Sequence, residues 1–255
     1  MKRDYTLTTA TRVFDILENL AQQESRIDEL SRKTQIPKST LFRYLVTLEE
    51  RGYVRRKFKN GTYVLGLKLL ELSNRALAQT TIHELALPNM RRLQDRFRET
   101  VNLAVLERNR VVYIEILESD QAFKMSSQVG GREYSHCTAI GKAMLAYLPE
   151  DEIRAIAAAT NLPKMTDRTI TVIEDLMKEL EAIRQRGYSI DNGENEEAAR
   201  CVGAPIFDRR GQVAAAISIS GPAQRLSADM TDVIGTALVE ISAQISQESG
   251  FKGEK

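Results

Sequence analysis

The first third of the chain carries apolar residues at helical spacing. Val13, Ile16, Leu17 and Leu20 recur at i, i+3, i+4 and i+7, which predicts an amphipathic helix over 9–20. A shorter helix fits 27–33, with Ile27 and Leu30 turned inward. After a break at 34–36, Pro37 suits the opening of a third helix, because its missing N–H would be unpaired there anyway. Leu41, Leu45 and Leu48 form the next stripe, and Gly52 supplies the stop. The period then changes to that of strands, over 53–58 and 62–65. Asn60-Gly61 lies between these runs and predicts a tight hairpin. Helix, short turn, helix and hairpin make a winged helix-turn-helix.

Residues 66–79 carry Leu67, Leu69, Leu70, Leu72, Ala76 and Leu77, an apolar face too wide for a lone exposed helix. We read this segment as a linker helix that packs on another subunit; cover by its own domain is the competing reading. Thr81-x-x-Glu84 opens a helix running to about Arg98, with a kink or late start expected at Pro88. Strands are then predicted over 101–106, 110–117 and 123–129, with Gly130-Gly131 as a break. Helices follow over 139–148, 150–159 and 171–186, the last opened by a Thr171-x-x-Glu174 cap and closed by Gly187. Strands at 188–191, 200–207 and 213–220 precede a final helix over 228–247. The fold class is α+β, with a largely antiparallel sheet flanked by helices. Its expected divisions are 1–66, a linker at 67–80, and 81–255.

The composition narrows the function. Two Cys in 255 residues exclude a disulfide scaffold and suit a reducing, cytoplasmic setting. The longest apolar runs fall far short of a membrane span, and the first residues lack the apolar core of a secretion signal. The near balance of 36 Lys+Arg and 35 Asp+Glu hides an asymmetry, because residues 1–60 hold 13 basic and 8 acidic side chains. Ten of those basic residues lie between Arg26 and Lys59, against four acidic ones.

In a helix-turn-helix, the start of the second helix reaches base edges in the major groove. Those positions are Lys38, Ser39, Thr40, Arg43 and Tyr44. Arg pairs with guanine, Ser and Thr bond bases or phosphates, and Lys adds a point charge. Phe42 is expected to pack at the helix edge. Arg55, Arg56, Lys57 and Lys59 of the wing would meet phosphates, which position a protein without reading sequence.

Farther along, Gly187, Asp191, Glu194, Cys201-Val202-Gly203 and Ile206-Phe207-Asp208 stand at fixed spacing. Thr138-Ala139-Ile140-Gly141-Lys142 and the run 216–222 accompany them. Over nearly its whole length the chain resembles the IclR family of bacterial transcription regulators. The resemblance implies a winged helix-turn-helix, a dimerising linker helix, and a GAF-like C-terminal domain that binds a small effector. It also implies double-stranded operator DNA as partner, a small carboxylate or keto acid as effector, a dimer or dimer of dimers as the assembly, and repression as the commoner mode.

The effector pocket can be read from residue types as well. The N–H groups of Ala139, Ile140 and Gly141 open a predicted helix, a place that favours anions. Ser218 and Ser220 alternate on one strand and face the same way. The resemblance places Asp191 and Cys201 opposite them, and Phe123 and Met125 offer an apolar wall. Asp191 is expected to bond a hydroxyl, a hydrate or a backbone N–H rather than an anion.

Three other readings remain. Cys201, His136 and Asp191 are the ingredients of a thiol hydrolase. His136, Cys137 and Cys201 are possible zinc ligands without the usual spacing. A winged head could also bind protein or generic nucleic acid. No enzymatic activity, metal or cofactor is expected, and His83 is expected to be solvated on a helix surface.

Overall fold

The computed structural model describes residues 7–57, 61–78, 81–122, 125 and 127–253; the side chains of 74–78 and 81 lie outside that description. Lys59, Asn60 and Phe123 of the sequence reading also lie outside it. The chain divides into two compact units, Met1–Gln79 and Thr80–Lys255.

In the first unit, α1 (Thr8–Gln22), α2 (Ile27–Thr34) and α3 (Lys38–Glu50) precede an antiparallel pair, β1 (Val54–Arg56) and β2 (Tyr63–Leu65). The stripes named above meet in one core: Ile16 and Leu20 from α1, Leu30 from α2, Leu41, Leu45 and Leu48 from α3, closed by Val54 and Tyr63. The break between α2 and α3 is made by Gln35 at φ 55°, and Pro37 is the N-cap of α3. Gly52 takes φ +78° directly after α3, where a residue with a Cβ would be strained. Its carbonyl is approached closely by Gly66: a Cβ on Gly66 would stand 2.0 Å from Gly52 O. The two glycines therefore let the end of α3 and the exit of the wing touch backbone to backbone. The unit ends in α4 (Lys68–Ala78).

The second unit opens with α5 (Thr81–Phe97), within which Pro88 is accommodated without a late start. Its six-stranded antiparallel sheet contains β3 (Thr100–Glu107), β4 (Arg110–Leu117), β5 (Arg132–Tyr134), β6 (Ser189–Asp191), β7 (Ala199–Phe207) and β8 (Val213–Pro222). The spatial order is β5-β4-β3-β8-β7-β6. Between the strands lie α6 (Ala139–Leu145), α7 (Glu150–Thr160) and α8 (Ile173–Arg186), and α9 (Ala228–Glu248) follows β8. Met90 and Leu93 of α5 join Ile234, Leu238 and Ile245 of α9 in a core with Val101, Leu103, Val202, Ile217 and Ile219 of the sheet. The alternate residues of the same strands point to the other face, where Ile140, Ala143 and Met144 of α6 pack on Ala104 and Ala216.

Several boundaries differ from the sequence reading. The strand expected over 123–129 does not form among the described residues. Gly130 and Gly131 exchange bonds with Tyr113 on β4, and the ladder continues through Arg132–Tyr134. α6 ends at Leu145, where i−3 bonds from Tyr147 and Leu148 tighten the last turn. α8 starts after Val172, which has no side-chain cap bond, so the Thr171 box is not used. His83 is not solvated: its Nε2 meets Glu115 Oε2 at 2.8 Å.

Candidate effector cleft and DNA-reading face

On the α6 face of the sheet, the strand register sets polar residues side by side. Asp191 on β6 pairs with Cys201 on β7, Cys201 with Ser220 on β8, and Ser218 with Asn102 on β3. Gly203 faces the first turn of α6; a Cβ there would lie 3.0 Å from the Ala139 carbonyl, so the helix rests directly on β7. Ala139 O is held by the Ser189 hydroxyl at 2.5 Å.

Between that turn and the polar row lies a cleft of about 510 Å³, counted out to its open mouth. Met125, Ala139, Ile140, Asp191, Cys201, Ser218 and Ser220 line it, with Tyr113, Ser127, Glu133, Thr138, Asn195, Glu196 and Ala199. Gly141, named with its helix neighbours in the sequence reading, is not part of the wall. Its N–H is taken by Thr138 Oγ1 at 3.2 Å, and its Cα packs on Ser135, which a Cβ would overlap at 2.5 Å. Tyr113, Glu133, Asn195 and Glu196 were not read from the sequence. They carry no local signature and reach the cleft only through strand pairing and the loop after β6.

The charges are arranged in depth. Asp191 is buried, and its Oδ1 accepts the N–H of Glu194 at 2.7 Å and of Asn195 at 3.4 Å. Burial outweighs those bonds and raises its pKa to about 7. Burial, followed by repulsion from Glu196, also raises Glu133. Behind the cleft, Lys142 is 0% exposed and bonds Glu194, with Glu179 at 3.7 Å. A fully buried lysine is tolerated only when paired in this way. Asn102 Nδ2 donates to Ser218 Oγ and Ser220 Oγ at 3.3 and 3.1 Å. Both hydroxyls accept from behind; Ser220 is also bonded with the Cys201 thiol, and the Ser218 hydrogen is left to donate into the cleft.

The thiols are poorly suited to nucleophilic chemistry. Burial, then Asp191, drives the Cys201 thiol far above its ordinary range, and burial pushes Cys137 up to about 12. A thiol that stays protonated is a poor nucleophile and a poor metal ligand. His136 directs Nε2 to Pro163 O at 3.1 Å, and burial lowers its pKa. Among the described residues, no three His, Cys, Asp or Glu side chains are grouped to hold a metal ion.

In the first unit, Lys38, Ser39 and Arg43 are exposed on α3, while Thr40 and Tyr44 are half-buried and Tyr44 packs against the core. Lys38 pairs with Asp28 at 2.6 Å and Lys57 with Glu24. Arg55 and Arg56 are exposed on the wing. Phe42 stands out into solvent instead of packing at the helix edge.

Residues 9–57 match the IclR helix-turn-helix domain, and residues 74–247 match the bacterial transcriptional regulator IclR C-terminal domain. The chain belongs to the IclR family. It is 37% identical over 251 residues to the HTH-type transcriptional regulator KdgR of Escherichia coli strain K12, covering 98% of this chain and 95% of that one. The transcriptional repressor IclR of the same organism is 30% identical, covering 94% and 89%. Among solved structures, the Thermotoga maritima IclR superposes with a TM-score of 0.83 at 35% identity, covering 96% of this chain and all of the other. An IclR homologue from Microbacterium hydrocarbonoxydans, complexed with 4-hydroxybenzoate, gives 0.81 at 29% identity, covering 95% and 100%. This IclR-family chain is thus a transcriptional regulator with a helix-turn-helix and an effector-binding domain, not an enzyme, and the thiol-hydrolase reading falls. Among the described residues, no helix is long and apolar enough to cross a membrane.

Proposed function

We propose that this regulator is a cytoplasmic repressor whose operator affinity is set by a small hydroxylated carboxylate or keto acid held in the cleft over β6–β8. The division of the cleft into donors and acceptors carries the reading. The Ser218 and Ser220 hydroxyls line one side, which suits a carboxylate or carbonyl oxygen. Asp191, Glu133 and Glu196 present acceptors at the other, and no Lys, Arg or His is among the described lining residues. A bare anion would meet repulsion there, whereas a ligand hydroxyl or hydrated carbonyl would find partners. The repressor IclR and the 4-hydroxybenzoate complex among its relatives support both halves of the proposal.

Lys38, Ser39, Thr40 and Arg43 are assigned to base edges, and Arg55, Arg56, Lys57 and Lys59 to phosphates. Leu67, just before α4, and Leu70 in its first turn, 82% and 58% exposed, are assigned to a second copy of the chain.

The test uses operator duplexes selected from a randomised pool by the full-length protein. Pyruvate, glyoxylate and 4-hydroxybenzoate are then titrated against the bound complex. Ser218→Ala combined with Ser220→Ala should abolish the ligand response while operator affinity is kept; an unchanged titration refutes the pocket. Arg43→Ala should cost about 1–3 kcal/mol on the selected duplex and little on random DNA. Equal losses on both would remove Arg43 from base reading.

A further inference from the structure

Three residues of α3 face the core, Leu41, Leu45 and Leu48. At 3.6 residues per turn, Ser39 and Arg43 lie opposite them, and Phe42 and Val46 form one flank of that outer surface, a single turn apart. Phe42 is 51% exposed and Val46 36% exposed. Exposure alone asks for no partner, since Phe14 of α1 is 61% exposed; what sets Phe42 apart is its place beside Val46 on the outer face of α3 and the residues next to it. Arg43 adjoins it in the chain and Lys38 is one turn before it on α3, both exposed. An apolar ring on a helix face that also carries cations does not suit a second apolar protein surface. It does suit the major groove, where phosphates flank the only apolar group on a base edge, the 5-methyl of thymine.

We infer that Phe42, extended by Val46, is a specificity-determining residue that selects thymine at one or two operator positions by covering its 5-methyl group. This rests on the reading of α3 as the base-reading helix. Lys38, Ser39 and Arg43 supply hydrogen bonds, and Thr40 is half-buried with one small methyl. Phe42 adds an apolar preference for the thymine 5-methyl group that hydrogen bonding cannot express.

The experiment uses the full-length protein and its selected duplex, with each thymine replaced in turn by deoxyuridine. Deletion of the methyl leaves pairing and every hydrogen-bonding group intact. At one or two positions the wild-type protein should lose about fourfold in affinity per methyl removed. Phe42→Ala should bind the thymine and deoxyuridine duplexes equally, with its thermal midpoint and sedimentation unchanged because the ring is outside the core. Three results overturn the assignment: indifference of the wild type to every methyl, equal methyl sensitivity in Phe42→Ala, or a smaller assembly in that variant, which would make the ring a subunit contact. Absence of any preference for the selected duplex over a scrambled one would instead overturn base reading by α3, and the role of Phe42 with it. Preference kept without methyl sensitivity overturns Phe42 alone.

Discussion

Asp191 and Lys142 are two buried charges with opposite consequences. The carboxyl of Asp191 has a pKa of about 7, against 3.8 when free. Between those values the native state holds a proton that the unfolded chain has lost, so this group's contribution to stability declines as pH rises from about 4 to 7 and is level above. Asp191→Asn keeps an acceptor for the Glu194 N–H and removes the titration. The melting temperature of the variant relative to the parent should therefore be more favourable at pH 8 than at pH 5, as read by thermal scans at both; the reverse order would contradict the assigned shift. Lys142→Met strands Glu194 without its cation, while Glu179 keeps Arg186 at 2.7 Å. It should cost about 3–5 kcal/mol in denaturant unfolding, and Glu194→Leu added to it should recover part of that loss. The sequence showed Lys142 only as one member of a familiar run. Nothing in one dimension distinguishes a lysine at the centre of a core from one on a surface, since its partners lie 37 and 52 residues away in the chain.

At the scale of elements, the stripes of α1 to α3 were legible because each buries a single face at a 3.6-residue period. Of the strand expected over 123–129, the described residues 125 and 127–129 join no ladder, for an instructive reason. Alternation there serves the cleft wall at Met125 and Ser127, and the ladder to β4 is made by the residues after the paired glycines. A period of two reports a side chain's environment, not its hydrogen-bonded neighbour. The Asp191, Cys201, Ser218 and Ser220 row was within reach of sequence reasoning through resemblance and strand alternation. Tyr113 and Glu133 were not, because pairing across the sheet brings them in from other segments. Gly66 is another element-level device with no local signal. Gly66→Ala would force a methyl against Gly52 O and should destabilise the first unit by about 2–3 kcal/mol, which domain-resolved calorimetry or hydrogen exchange would register in residues 7–78 and not in the sheet.

For the whole molecule, the proposed contact between copies through the exposed Leu67 and Leu70 is open to test. Leu67→Glu with Leu70→Glu should lower the mass found by sedimentation equilibrium and weaken operator binding together; an unaltered mass would mean that the chain covers that face itself. The head carries a further consequence. In the proposed complex Lys57, assigned to a phosphate, already neutralises Glu24, so a phosphate arriving there would bring an anion to a site where one is already present. The slope of log affinity against log salt should then be shallower by about one unit than a census of the basic wing implies. Glu24→Gln should steepen it. Such a pair would act as a buffer, so that a rise in ionic strength would loosen the proposed complex less than its basic residues suggest.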